Sequence, residues 1–324
     1  MYLGSMEPFQ DFFFNSCIYS SIFSVVKYFS GDILPFLING VGCYMFYNTP
    51  RRCSLYIRFM HVEEPINIVH KNGITTQSIQ RSKDIHQDIH SALKHGYPVL
   101  VMVDCFGESI RGDYYLKKHV PHYLVIFGFD DNLGFYNIIE QNTADDIRFF
   151  KRAITFKDLE NAYQCYLDNF ARDEHTLWWF GKGNKINFPD PVAVYCNNII
   201  QNKSFFKQGL SEKQAFEKRF MLVLANKEEI LQYANDIIGG FNDIIKFLEC
   251  KLYMVKKFSS FEHVYCNIQQ IYESWKTIRA IFVKQSMRGS FPIEKKEKIS
   301  EKILLIDKLE EQLWKSIKEY GGNK

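Results

Sequence analysis

A break in hydrophobic patterning near residue 205 constrains this chain more than any other feature. Before it, short apolar runs alternate with turn residues. After it, apolar residues recur at helical spacing over three long stretches. Ile230, Ala234, Ile237, Ile238, Phe241, Ile244, Ile245, Leu248 and Leu252 trace one stripe, and Val264, Ile268, Ile271, Trp275 and Ile278 a second. Beyond Pro292, Ile299, Ile303, Ile306, Leu309, Leu313 and Ile317 trace a third, and Ser211 to Gln214 reads as a capping box opening the helical region. Two patterns in one chain predict two domains, an α+β domain over 1–204 and an α-helical domain over 205–324. A length of 324 residues agrees with that number.

Composition excludes several classes of function. Forty Lys+Arg stand against 37 Asp+Glu, a net charge of +3 with no basic stripe, so no nucleic-acid partner is expected. No apolar run reaches the ~18 residues of a membrane span, and no secretory signal opens the chain, so no membrane partner and a cytoplasmic location are expected. The eight cysteines are scattered without a C-x-x-C pair, which argues against a zinc site or a disulfide framework. The Asn202-Lys203-Ser204 sequon carries no meaning in an intracellular chain. Aromatic residues reach 16%, enough to fill a core or to wall a pocket.

In the first region the pattern predicts a helix over 17–29, strands over 53–60 and 66–70, a helix over 84–95 and a continuous apolar strand over 97–104. A hairpin over 121–130 and 134–140 turns through Asp131-Asn132-Leu133, and Thr155 caps a helix reaching about residue 170.

On this scaffold three residues carry chemistry. Cys17 stands at the first turn of its helix, where unpaired N–H groups and the dipole favour a thiolate nucleophile. His122 lies at the mouth of an otherwise apolar strand, placed to take the thiol proton. Glu140 ends the partner strand of the same hairpin and can hold the imidazole. The backbone N–H of Cys17 is a natural oxyanion donor. Asp104, ending the strand over 97–104, is a strand-end turn residue or a group that binds a cationic amine.

Other groups carry less. His119, in the Lys117-Lys118 loop, is the rival base but reads as solvated. His86 and His90, four apart on a helix, lack a third ligand, so no metal site is expected. Gly181-Lys-Gly183 lacks P-loop spacing, and Asp130-Asp131-Asn132 lacks the later ligands of a calcium loop. Lys295, Lys296 and Lys298 form a solvated face or a docking site for an acidic protein.

Asn15-Ser16-Cys17 opening a helix, residues 96–104 (GYPVLVMVD), 122–130 (HYLVIFGFD) and 135–140 (FYNIIE) together resemble the papain-like cysteine-protease superfamily. The similarity is to the branch holding bacterial leader peptidases and the butirosin-biosynthesis acyltransferase, and it spans roughly residues 10 to 140. It implies an antiparallel sheet with an N-terminal catalytic helix and an α-helical C-terminal part. It also implies an acyl group carried as a thioester on a phosphopantetheinyl carrier protein, passed to Cys17 and then to an amine deprotonated by His122, with no cofactor of the enzyme's own. Such enzymes add an upstream amide side chain to the oxyanion hole, for which Gln10 and Asn15 compete. The chain departs from the family in lacking C-G-S-C-W and in having Glu140-Gln141 where Asp is usual. Two other functions fit the same residues: a cysteine peptidase, and a non-catalytic module that binds a carrier protein.

Overall fold

The computed structural model describes residues 1–143, 148–184, 186, 188–258 and 261–322. In chain order it forms α1 (Cys17–Tyr28), α2 (Leu34–Asn39), the hairpin β1 (Gly40–Thr49) and β2 (Arg52–His61), α3 (Pro65–Lys71), β3 (Ile74–Ile79), α4 (Ile85–Lys94) and β4 (Val99–Asp104). A 3-10 turn at Cys105–Gly107 precedes β5 (Pro121–Asp130), β6 (Phe135–Gln141), β7 (Phe149–Thr155), α5 (Phe156–Asn169) and β8 (Leu177–Lys182). The remainder is helical: α6 (Pro191–Gln201), α7 (Lys203–Val223), α8 (Lys227–Lys256), α9 (Glu262–Ser286) and α10 (Ile293–Gly322).

These elements form two compact units whose borders differ from the expected 1–204 and 205–324. One holds Met1–Ile33 and Pro65–Asn187, the other Leu34–Glu64 and Phe188–Lys324. The first is an α+β unit built on a six-stranded antiparallel sheet of order β3-β8-β4-β5-β6-β7. Strand β4 is buried along its whole length, as its unbroken apolar run requires. Helix α1 packs on β5 and α5 on β4.

The hairpin of β5 and β6 turns where the sequence places it. Asp130 Oδ1 accepts from the N–H groups of Asn132 (2.9 Å) and Leu133 (3.1 Å), and Gly134 supplies the positive φ of 67°.

The second unit joins the long helices to a two-stranded sheet, so it is not purely helical. Hairpin β1–β2 lies against α7 and α8 through close backbone approaches. A Cβ on Gly240 would fall 2.4 Å from the Leu55 carbonyl oxygen. Asp236 and Asp243 of α8 accept from the backbone N–H groups of Cys53 (2.8 Å) and Ile57 (2.7 Å), satisfying donors on β2 that have no strand beside them.

Two local expectations also change. Residues 66–70 are helical within α3, because Pro65 suits the first turn of a helix and short apolar runs do not distinguish helix from strand. Ser211 is no cap, since α7 runs unbroken from Lys203 through it. No helix among the described residues is long and apolar enough to cross a membrane.

Candidate active site

Cys17 is the first residue of α1, and an aromatic cluster fixes where that helix begins. Phe9 packs edge-on against Phe12 and Phe23 with ring centroids 5.0 and 5.1 Å apart, and Phe14 lies 4.9 Å from Tyr19. The Phe9 N–H donates to Ser24 Oγ at 2.9 Å. These contacts clamp the lead-in segment onto the buried face of α1, using part of the aromatic excess as core. Asn15 has φ 57°, a left-handed conformation that Asn tolerates, and turns the chain into the Ser16 cap.

The sheet register delivers the other two groups. Val125 pairs with Ile139 across β5 and β6, so Leu124 lies opposite Glu140 and His122 shares their face, one diagonal step away. His122 Nε2–H donates to Glu140 Oε2 at 2.7 Å, and both residues are buried. The imidazole also faces the Cys17 thiol, close enough for charge and hydrogen bonding between the two to shift both groups.

Electrostatics sets Cys17 apart from the other thiols. Burial pushes its titration up, but the His122 charge, the hydrogen bond to that ring and the Tyr123 backbone outweigh burial, and the net shift is downward. Burial pushes Cys43, Cys53 and Cys196 up to about 11 and Cys105, also near His122, up to about 12. Burial alone would lower His122, yet the charges of Glu140 and Cys17 raise it well above the usual imidazole value. Both shifts favour transfer of the Cys17 proton to His122, and Glu140 lies on the far side of the ring.

Behind the pair lies a charge cluster that sequence reading missed. Arg111, only 2% exposed, donates from Nη1 to Glu140 Oε1 at 2.9 Å and from Nε and Nη2 to the two Asp113 oxygens at 3.1 Å each. The Gln141 N–H also donates to Glu140 Oε1, at 2.7 Å. Glu108 is fully buried nearby, and neither of its oxygens has a hydrogen-bond partner among the described residues; burial and the Glu140 charge push it up to about 8. No periodicity marks Arg111 or Glu108, because both lie in the irregular stretch between β4 and β5.

The remaining candidates fall elsewhere. Gln10 is exposed, and its Nε2 donates to the Phe149 carbonyl at 2.8 Å, which commits that amide to the end of β7 instead of an oxyanion. Asn15, also exposed, shapes the turn before α1. Asp104 is fully buried, which corrects the amine-binding expectation. Its Oδ1 accepts from Phe106 and Val120 N–H groups at 3.0 Å each, and its Oδ2 meets His119 Nδ1 at 2.6 Å, so it ties the loop after β4 together. His119 thus serves that loop. His86 Nδ1 meets the Tyr136 hydroxyl at 2.9 Å, and His90 stacks on Phe129.

No family model matches the chain, and no curated protein matches it. Among solved structures, a crystal structure described as that of a C39-like peptidase from Bacillus anthracis aligns with a TM-score of 0.34 and 14% identity, covering 56% of this chain and 98% of that one.

Proposed function

We propose that the chain is a cysteine-dependent acyltransferase that moves an acyl group from a carrier-protein thioester, through acyl-Cys17, to an amine in natural-product biosynthesis. The observation that carries this reading is the lowered Cys17 thiol, at a helix N-terminus and facing a His122 that Glu140 holds. In the first half-reaction the Cys17 thiolate attacks the thioester carbonyl, and the Cys17 N–H stabilises the tetrahedral oxyanion. Collapse breaks the carbon–sulfur bond to the carrier, whose departing thiolate takes the His122 proton. In the second, neutral His122 removes a proton from the attacking amine, an amide bond forms and Cys17 leaves as thiolate. Glu140 stabilises imidazolium whenever it forms.

The choice of transfer over hydrolysis rests on the resemblance to the butirosin-type branch, whose members add an α-helical part such as α6 to α10 supply here. Within that branch, the amide-forming step of closthioamide assembly, joining an aryl polythioamide to a diamine, suits the aromatic-rich composition. Lys295, Lys296 and Lys298 at the start of α10 offer a docking face for an acidic carrier protein, which charge reversal and a transfer assay would test.

The deciding experiment is intact-protein mass of wild type and Cys17→Ala after mixing with acyl thioesters, aromatic ones included, with and without a diamine. The expected result is a mass gain on wild type alone, discharged by the diamine into an amide. Cys17-dependent peptide cleavage without any acyl adduct would replace this reading with a peptidase. Carrier-protein binding that is indifferent to Cys17→Ala, with no adduct, would leave a binding module.

A further inference from the structure

The second unit lines a partly open cavity that the Cys17 chemistry does not use. Its volume is about 90 Å³, room for about three waters or the body of a small organic ligand. Leu210, Leu248, Ile268, Ile271, Leu313 and Trp314 supply most of an apolar wall contributed by α7, α8, α9 and α10. Into this wall α8 places Lys251 and α6 places Tyr195.

Neither the Lys251 ammonium nor the Tyr195 hydroxyl has a hydrogen-bond or ion-pair partner among the described residues. Lys251 Nζ lies 4.5 Å from the centroid of the Phe247 ring, a contact that leaves all its donors free. The acid on the same wall, Glu310, accepts from the Tyr44 hydroxyl on Oε1 at 2.6 Å and pairs with Lys213, whose Nζ lies 3.3 Å from Oε2, although Oε2 has no hydrogen-bond partner among the described residues. An ammonium facing an apolar cavity without a dedicated counter-ion is costly, and an apolar cavity with a few convergent polar groups is how small-molecule sites are built. A cationic ligand would meet Lys251 as a like charge, and a neutral hydrocarbon would leave it unpaired.

We propose that this cavity binds a small monocarboxylate with an apolar body, its carboxylate on Lys251 Nζ and its chain among the apolar side chains, and octanoate serves as the probe. The site is separate from Cys17 and stands or falls without the acyltransferase reading. Burial pulls Lys251 down to about 8, opposed by Glu310 and Cys43, and the other titratable groups on the wall, Tyr44 and Tyr195, are both pushed up by burial and stay neutral. Cys43 is itself pushed up to about 11 and stays neutral over the working range. Binding is therefore constant at pH 6 to 7 and weakens as pH rises past about 8 and the ammonium is lost.

The test uses the full chain and octanoate, with 1-octanol and octylamine as neutral and cationic controls. Binding is followed by calorimetry and by tryptophan fluorescence, since Trp314 lies on the wall. Octanoate is expected to bind at least about tenfold more tightly than octanol, the worth of one charge-assisted hydrogen bond. Lys251→Met, an apolar side chain of similar length, erases that preference. Val264→Phe, which fills the cavity, weakens octanoate and octanol alike, whereas Cys17→Ala binds as wild type does. Equal binding of octanol and octanoate by wild type, octanoate affinity unmoved by Lys251→Met, or no octanoate binding up to about 1 mM would each overturn the proposal.

Discussion

Replacing Glu140 by Gln tests the electrostatic design of the site most directly, because the change is nearly isosteric. Glu140 is fully buried and accepts from His122 at 2.7 Å on one oxygen, and from Arg111 at 2.9 Å and the Gln141 N–H at 2.7 Å on the other. A glutamine offers one acceptor oxygen and one NH2 group. Both side-chain partners are donors, so every orientation sets an NH2 group against either imidazolium or guanidinium. Breaking a buried ion pair from one side costs about 3–5 kcal/mol. Arg111 keeps Asp113, which puts the expected stability loss near the lower end.

The functional loss follows from His122, which the Glu140 charge helps to hold above its usual value. Removing that charge lowers the folded-state pKa, so imidazolium is lost at lower pH and the alkaline limb of activity moves down. Loss of a positioned acid–base group costs about 10²–10⁴-fold in rate, or about 2.7–5.4 kcal/mol of transition-state stabilisation. The assays are histidine-labelled NMR titration of His122 and the rate at which Cys17 gains an acyl group from a thioester. A His122 titration that does not move, together with acyl loading within about threefold of wild type, would refute the reasoning.

Other outcomes follow from the same geometry. Arg111→Met leaves the fully buried Glu140 without its guanidinium partner and should cost about 3–5 kcal/mol in urea unfolding, and Arg111→Lys should recover little, because one ammonium cannot reproduce the two-sided fork. Glu108 is raised on folding to about 8, so the native state holds its proton where the unfolded chain releases it. Its contribution to stability is full below the unfolded carboxylate value and falls as pH rises toward 8. Glu108→Gln should remove that loss, gaining on wild type by up to a few kcal/mol between pH 5 and 8; parallel curves for the two proteins would contradict the burial argument. Gly240→Ala gains helix propensity of about 1 kcal/mol but drives a methyl against the Leu55 carbonyl, and a net loss of stability, read as a lower Tm, is expected.

What the sequence determined by itself is local. A cysteine opening a helix, a histidine opening a strand and a glutamate closing its hairpin partner are visible because helix caps, period-two runs and tight turns depend on neighbours in the chain. The placement of His122 and Glu140 on one face was not legible there, because it needs the bulge between Ile126 and Gly128, which shifts the β5–β6 register by one residue and flips the facing of everything beyond it. Tertiary structure alone decided what depends on distant partners. Packing of α1 on β5 brings Cys17 to His122 across more than a hundred residues. Burial of Arg111 and Glu108 behind Glu140 depends on how an irregular stretch closes over the sheet. Gln10 and Asp104 have side chains suited to the roles expected of them, but nearer carbonyls and N–H groups claim them first. The hairpin β1–β2 joins the helices although the chain returns to the first unit directly after it, because its free N–H groups meet carboxylates on α8 and its backbone meets Gly240. Hydrophobic periodicity records which face of an element is buried, and it does not record against what.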